Sequence, residues 1–215
     1  MQLNVERLVP QQGASQPPNY QGLLFVLSAP SGTGKDTIIK TLKEQGMDFH
    51  VVSSVTTRHP RLGESDGNPY HFVDQETFNR MVANNELLEY AKVHGNWYGQ
   101  PRKPIRDHLQ AGKDVLLKID VQGAATVRRK VPDAIFIFLA PESVEELAQR
   151  LDERKTETSE ERQRRLADAQ LELAEKDRYD YIILNRQGHL EEAVDKLRAI
   201  MLAEHCRVRR RQITI

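Results

Sequence analysis

Residues 29–37 (APSGTGKDT), near the start of the chain, have the composition of a phosphate-binding loop. They follow a short apolar run and precede an apolar helical pattern, which is the strand, loop and helix order that such a loop requires. The small Gly32 and Gly34 let backbone N–H groups surround phosphate oxygens, while the helix N-terminus and Lys35 add positive charge. The strict pattern G-x-x-x-x-G-K-[S/T] is broken at Ala29 and Asp36. The alternative interpretation is a glycine-rich turn that binds no ligand.

A second group of candidate ligands lies between residues 53 and 100. Arg58 and Arg61 flank a proline, and two arginines at this spacing can grip one phosphate, with nearby tyrosine hydroxyls completing its hydrogen bonds. Glu89 lies in the segment LLEYA. A carboxylate that accepts two parallel N–H bonds suits the N1–H and 2-amino edge of guanine, which adenine lacks. Taken singly, each of these residues is more typical of a solvated sheet surface than of a ligand site.

The elements that must position these residues alternate along the chain. Four short apolar runs, at 23–27, 115–117, 134–139 and 181–184, predict buried strands of a parallel sheet. Helical patterns lie between and after them, which indicates an α/β fold with right-handed crossovers. These patterns run over 37–45, 105–110, 143–153, 160–176 and 190–209. The more polar stretch 53–99 is predicted to be an inserted mixed-β subdomain, and the apolar-poor stretch 150–165 a mobile lid.

Composition limits the partners that the protein can have. Its 215 residues include 31 Lys plus Arg and 31 Asp plus Glu, so no net field gathers nucleic acid or an anionic membrane surface. No apolar run approaches the roughly 20 residues that span a bilayer. The lone Cys206 forms no internal disulfide and suits a reducing compartment, so we expect a cytoplasmic protein. Residues 1–21 are predicted to be a disordered tail and 207–215 a basic, solvated end of the last helix.

Several ordered motifs resemble the guanylate kinase family, from about residue 23 to about residue 204. They are SAPSGTGK (28–35), TTRHPRLGE (56–64), GNWYG (95–99), IDVQG (119–123), the arginines of the lid, and YDYIILN (179–185). The resemblance implies an α/β P-loop nucleoside monophosphate kinase fold, with a parallel core sheet, helices on both of its faces, an inserted mixed-β GMP-binding subdomain and a mobile lid. The implied boundaries within 22–206 are core 22–52, 105–145 and 166–206, GMP-binding subdomain 53–104, and lid 146–165.

The resemblance also implies a reaction and a role for each matching residue. The reaction is reversible phosphoryl transfer from ATP to GMP with Mg²⁺, giving ADP and GDP in purine nucleotide metabolism, by a monomer or homodimer. The implied ATP ligands are Ala29, Pro30, Ser31, Gly32, Thr33, Gly34, Lys35, Asp36, Thr37 and Asn185. The implied GMP ligands are Ser54, Arg58, Arg61, Glu64, Tyr70, Glu89, Tyr98, Gln100 and Asp120. The implied catalytic cations are Lys35, Arg58, Arg150, Arg154 and Arg165, and Thr37 and Asp120 would hold Mg²⁺, partly through water.

Four positions depart from the family pattern. Asp36 replaces a hydroxyl residue, Gln100 a small hydroxyl residue, Lys118 a carboxylate and Lys155 a glycine of the lid. We expect Lys118 to pair with Asp36 or Asp120, and the Gln100 amide to donate to the guanine oxygen. The departures keep two alternatives open. One is a guanylate-kinase-like binding module with weakened catalysis, and the other is a P-loop kinase with a different acceptor.

Overall fold

The structure is a computed structural model that describes residues 21–215 except 62, 94 and 153–158, and without the side chains of 149–152 and 159–165. The strands are β1 (Leu24–Ser28), β2 (His50–Val51), β3 (Ser54–Thr56), β4 (Ser65–Asp66), β5 (Pro69–Phe72), β6 (Leu87–Val93), β7 (Asn96–Pro101), β8 (Val115–Lys118), β9 (Ile135–Ala140) and β10 (Tyr181–Leu184). The helices are α1 (Lys35–Glu44), α2 (Gln75–Ala83), α3 (Arg102–Gln110), α4 (Val121–Lys130), α5 (Val144–Asp152), α6 (Ser159–Ala174) and α7 (Leu190–His205). None of the helices so described is both long and apolar enough to cross a membrane.

A five-stranded parallel sheet forms the core, in the order β10-β9-β1-β8-β2. Its central strands β1, β8 and β9 are buried along nearly their whole length, as their continuous apolar sequences predict. One buried apolar cluster includes side chains of α1 and α7, and the other includes side chains of α3 and α4. The prediction of a parallel sheet with helices on both faces is therefore confirmed.

A second five-stranded sheet contains the polar stretch between β2 and α3. Its order is β4-β5-β3-β7-β6, with β3 parallel to β5 and antiparallel to β7. Phe78 of α2 is buried against Val55 and Leu87 of this sheet, so the sheet has its own small apolar cluster. The sheet is mixed, as its sequence predicts.

The C-terminal end differs from the prediction. Helix α7 ends at His205 rather than near residue 209, and the chain then turns back along the core. Arg211 is 15% exposed, and its Nε donates a 3.0 Å hydrogen bond to the carboxylate of the buried Glu204. Ile213 is buried in the same cluster as the side chains of α3 and α4. The prediction that the last helix continues to about residue 209 is therefore wrong, whereas residues 207–210 are exposed as predicted and the chain after them is held on the core by Arg211 and Ile213.

Candidate active site

The phosphate-loop sequence forms a tight turn between β1 and α1. Gly32 and Gly34 have φ values of 90° and 91°, in the left-handed region that favours glycine. Asn185, just after β10, donates from Nδ2 to the carbonyl oxygen of Thr33 over 2.7 Å, so the neighbouring strand end supports the loop. Lys35 begins α1, and its Nζ donates to the carbonyl oxygen of Ala29 over 2.5 Å. The Lys35 ammonium group is therefore held beside the turn of the loop by a backbone carbonyl oxygen.

One cleft brings this loop together with ligand candidates from the second sheet. It opens where β1 and β8 end, the edge of a parallel sheet at which α/β proteins bind ligands. The residues that line it are 29–37, Ser54, Tyr70, Glu89, Ala91, Val93, Tyr98, Lys118, Ile119, Asp120 and Glu172. Residues 29–37 of the predicted donor ligands thus line one space with five of the predicted acceptor ligands, Ser54, Tyr70, Glu89, Tyr98 and Asp120.

Two lysines supply positive charge on the floor of the cleft. Burial lowers the pKa of Lys35 to about 8, against the opposing attraction of Glu172 and Asp36. Lys118 ends β8, and its Nζ lies 2.5 Å from Oδ1 of Asp36. The expectation that Lys118 pairs with Asp36 is confirmed.

Glu89 is buried at the acceptor end of the cleft. It is 3% exposed, and burial, followed by repulsion from Asp120, raises its pKa to about 8. A Cβ on Gly123 of α4 would lie 2.8 Å from Oε2 of Glu89, so only glycine lets this helix approach the carboxyl group so closely. Gly123 is a positioning residue for Glu89 that the sequence reasoning did not single out, although the motif IDVQG contains it.

Gln100 is buried beside two of the predicted acceptor ligands, Ser54 and Glu89. It is fully buried and does not line the cleft, and its Nε2 donates to the hydroxyl of Ser54 over 2.7 Å. Its Oε1 is buried and has no hydrogen-bond partner among the described residues. The Gln100 amide therefore adjoins Ser54, which lines the cleft, and the contact of Gln100 with guanine stays a prediction.

The predicted phosphate ligands of the acceptor fall into two groups. Tyr70 and Tyr98 line the cleft, with their ring centroids 5.7 Å apart. Arg58, Arg61 and Glu64 occupy the turn beside it and are not among the lining residues. Both Nη2 contacts of Arg58 to the Glu64 carboxylate measure 2.9 Å, and this pairing lowers the pKa of Glu64 and raises that of Arg58. The Arg58 guanidinium lies 5.5 Å from the Tyr70 ring, close to the tyrosine pair.

Two carboxyl groups, Asp120 and Glu172, face the phosphate loop. Asp120 caps α4, accepting from the N–H of Gly123 over 2.8 Å, and burial raises its pKa. Burial likewise raises the pKa of Glu172 to about 7. The sequence reasoning missed Glu172, because a glutamate on an amphipathic helix carries no local signal for a site. Thr37, the other predicted magnesium ligand, lines the cleft on the first turn of α1.

The arginines predicted for the lid cannot be placed at the cleft. Arg154 and Lys155 lie outside the described residues, as do the side chains of Arg150 and Arg165. Helices α5 and α6, which precede and follow residues 153–158, pack together through Leu147 and Ala169.

Comparison with known proteins gives consistent matches over most of the chain. The family model described as guanylate kinase matches residues 21–204. A guanylate kinase of Clostridium perfringens is 45% identical over 192 residues, which cover 89% of this chain and 88% of that protein. One from Dechloromonas aromatica is 50% identical over 182 residues, covering 85% and 89%. The crystal structure of a guanylate kinase from Anaplasma phagocytophilum matches with a TM-score of 0.72 at 35% identity, covering 88% of this chain and 89% of that one.

Proposed function

This chain belongs to the guanylate kinase family of ATP-dependent nucleoside monophosphate kinases, and we propose that its central cleft transfers a phosphoryl group from ATP to GMP. The observation that carries the proposal is the shared cleft, in which the phosphate loop faces Ser54, Glu89 and two tyrosines. A binding module that had lost transfer activity would have no use for an enclosed loop lysine opposite a base-reading carboxyl group.

Phosphoryl transfer to a nucleoside monophosphate needs positive charge and alignment of the two phosphates more than it needs a general base. The oxygen of a nucleoside monophosphate is already ionised at neutral pH, so no residue has to remove a proton from the attacking group. The protein has to hold two phosphates in line and neutralise the charge that spreads over the transferring group. Lys35 and the N–H groups of the phosphate loop are the donor-side residues for this task.

On the acceptor side, we assign Glu89 to the guanine base. Its carboxylate accepts from N1–H and the 2-amino group, which adenine does not offer together. Ser54 accepts a hydrogen bond from Gln100, so its own proton is left to point at the guanine oxygen. Tyr70, Tyr98, Arg58 and Arg61 are the proposed ligands of the acceptor phosphate, with Glu64 holding Arg58 in the turn.

The residues present fit a magnesium ion that arrives with ATP. No three His, Cys, Asp or Glu side chains cluster as a self-sufficient metal site in the described part of the chain. Mg²⁺ bound to nucleotides keeps its waters and phosphates and needs only one or two protein ligands, which Thr37 and Asp120 supply. When bound, the ion neutralises charge on the phosphates. After burial, repulsion from Asp120 helps to raise the pKa of both Glu172 and Glu89, and a cation beside Asp120 would relieve that repulsion.

Further parts of the proposal follow from the sequence. Arg150, Arg154 and Arg165 are proposed to add cations to the transferring group from a lid at 146–165, closing over a core of 22–52, 105–145 and 166–206 and a GMP-binding subdomain of 53–104. We also propose that the protein works in the cytoplasm as a monomer or homodimer without nucleic acid, as its lone Cys206 and balanced charge favour.

Product analysis tests the function directly. The protein is incubated with ATP and Mg²⁺ and, in separate reactions, with GMP, AMP, CMP or UMP. Of the four reactions, we expect only the one that contains GMP to form a diphosphate product, which is GDP. Lys35→Met in the same assay controls for a contaminating kinase and should form no GDP. Phosphoryl transfer to another monophosphate would show that GMP is the wrong acceptor. No product with any of the four monophosphates would favour the alternative of a binding module.

A further inference from the structure

Lys118 lines the cleft between the phosphate loop on the donor side and Tyr70 on the acceptor side. It is paired in register with Leu27 of β1, the strand that leads into the phosphate loop. Its side chain is 19% exposed, and its Nζ lies 5.7 Å from the ring centroid of Tyr70 on the acceptor side. On the donor side the same Nζ contacts Asp36. One ammonium group therefore reaches both halves of the cleft.

The electrostatic effect of Lys118 extends in both directions as well. Its positive charge lowers the pKa of Lys35 in the phosphate loop and opposes the rise in the pKa of Tyr70. A cation that acts on the donor lysine and on an acceptor tyrosine stands where two phosphate groups have to meet. The repulsion between Lys118 and Lys35 is relieved once phosphate oxygens lie between them.

The contact between Lys118 and Asp36 can be exchanged for a contact with phosphate. The side chain of Asp36 is 82% exposed, and ion pairs with so solvated a partner contribute little net stability. An ammonium group has three N–H donors, and among the described residues that of Lys118 donates one hydrogen bond, to Asp36. A phosphate dianion in the half-buried cleft offers more charge and more acceptor oxygens than the solvated carboxylate does.

We propose that Lys118 binds the phosphate of the acceptor mononucleotide, and that Asp36 holds the Lys118 ammonium over Tyr70 while the cleft is empty. The inference rests on the proposed function and deepens it, because it adds a ligand for the acceptor phosphate. Lys118 is one of the positions at which the sequence departs from the family pattern. Asp36 is a positioning residue in this scheme, and it separates from Lys118 as the phosphate enters.

The test measures binding to the full chain by calorimetry, without ATP and without turnover. GMP and guanosine are titrated into the natural protein and into Lys118→Met, Asp36→Asn and the double variant. Loss of one charge-assisted hydrogen bond corresponds to roughly a ten- to hundredfold loss of affinity, so Lys118→Met should weaken GMP binding by about that factor. It should leave guanosine binding within about twofold, because guanosine has no phosphate. Lys40→Met, which removes an exposed lysine of α1 paired with Glu44, is the matched control and should change neither affinity.

The double variant separates phosphate binding from charge compensation. We expect it to bind GMP as weakly as Lys118→Met, and Asp36→Asn alone to stay within about threefold of the natural protein. Recovery of natural GMP affinity in the double variant would mean that Lys118 only offsets Asp36, and would overturn the proposal. Equal losses for GMP and guanosine would also overturn it. If the natural protein binds a different monophosphate instead of GMP, the proposed acceptor is wrong, and the same variants titrated with that nucleotide and its nucleoside decide the role of Lys118.

Discussion

Replacing the buried Glu89 by glutamine should stabilise the protein while it damages the acceptor site. In the folded chain burial raises the pKa of this carboxyl group from 4.5 to about 8, so at pH 7 folding has to bring a proton to it. The 2.5 pH units between pH 7 and the unfolded pKa, at 1.36 kcal/mol each, amount to about 3 kcal/mol. Glutamine has nearly the same shape and no charge to bury, so Glu89→Gln should raise the unfolding free energy by about that amount at pH 7.

The dependence on pH gives the sign of the effect. A group whose pKa is higher in the folded than in the unfolded chain stabilises the protein most below the unfolded pKa, and stability falls as the pH rises towards the folded pKa. The gap between Glu89→Gln and the natural protein should therefore be about 1 kcal/mol at pH 5 and widen up to about pH 8. Urea unfolding at several pH values measures this gap. Glu86→Gln, the same change at an exposed position three residues earlier, is the control and should show no widening gap.

Substrate binding by the same variant tests the other half of the argument. Glutamine turns one acceptor oxygen into a donor that opposes the donors of guanine, so the KM for GMP should rise roughly 10- to 100-fold. The KM for ATP should stay within about twofold. A stability gap that does not change with pH would refute the burial argument. An equal effect on GMP and ATP would refute the assignment of guanine to Glu89.

Three further changes probe the loop and the C-terminal end. Because the pKa of Lys35 is about 8, its positive charge declines above that pH, and the affinity for ATP should fall between pH 7.5 and 9. Calorimetric titration with ATP measures this fall. Lys35→Met should bind ATP weakly at every pH in the same titrations. Gly34→Ala places a Cβ at φ 91°, which should cost about 1–2 kcal/mol in urea unfolding and abolish GDP formation; normal activity would contradict the strained-loop argument. Arg211→Ala leaves the buried Glu204 without its closest cation and should lower the unfolding free energy by about 2–4 kcal/mol, whereas the exposed Arg209→Ala should change it by less than about 0.5 kcal/mol.

The core sheet was predictable because each strand is a continuous apolar run. The run 181–184 coincides with β10, and β1, β8 and β9 differ from their predicted bounds by one residue. Helix α4 was not predicted, since its sequence VQGAATVRRK mixes a glycine and β-branched residues with a weak amphipathic pattern. Its start depends on the side chain of Asp120 as N-cap, and Gly123 is present because Glu89 approaches from another element. The need for a glycine at this position arises from a tertiary contact, which leaves no periodic pattern in the local sequence.

The candidate site likewise contains residues that local motifs predict and residues that only the tertiary fold brings to the cleft. Residues inside contiguous motifs, such as Lys35, could be singled out because the loop chemistry is local. Lys118 was predicted to find a carboxylate, but which one depended on how β8 lies beside β1. Gln100 is two residues after the cleft-lining Tyr98 and pairs in register with Glu89, so strand alternation puts it on their side of the sheet, but only the tertiary fold shows that its buried amide donates to Ser54. Glu172 reaches the cleft from a helix far along the chain, and only the tertiary fold reveals it.

The charges of the cleft explain how a chain with 31 cationic and 31 anionic residues holds a site for two anions. At pH 7 burial leaves Glu89 largely protonated, Glu172 about half protonated, and Lys35 with a weakened hold on its proton. The Lys118 and Asp36 charges cancel each other. Phosphate oxygens beside Lys35 would restore its preference for the proton, and the N–H groups of guanine would favour the ionised form of Glu89. Bound substrates thus favour the charged forms of Lys35 and Glu89, so the two buried groups that lose most by ionising in the cleft gain the partners that offset this cost.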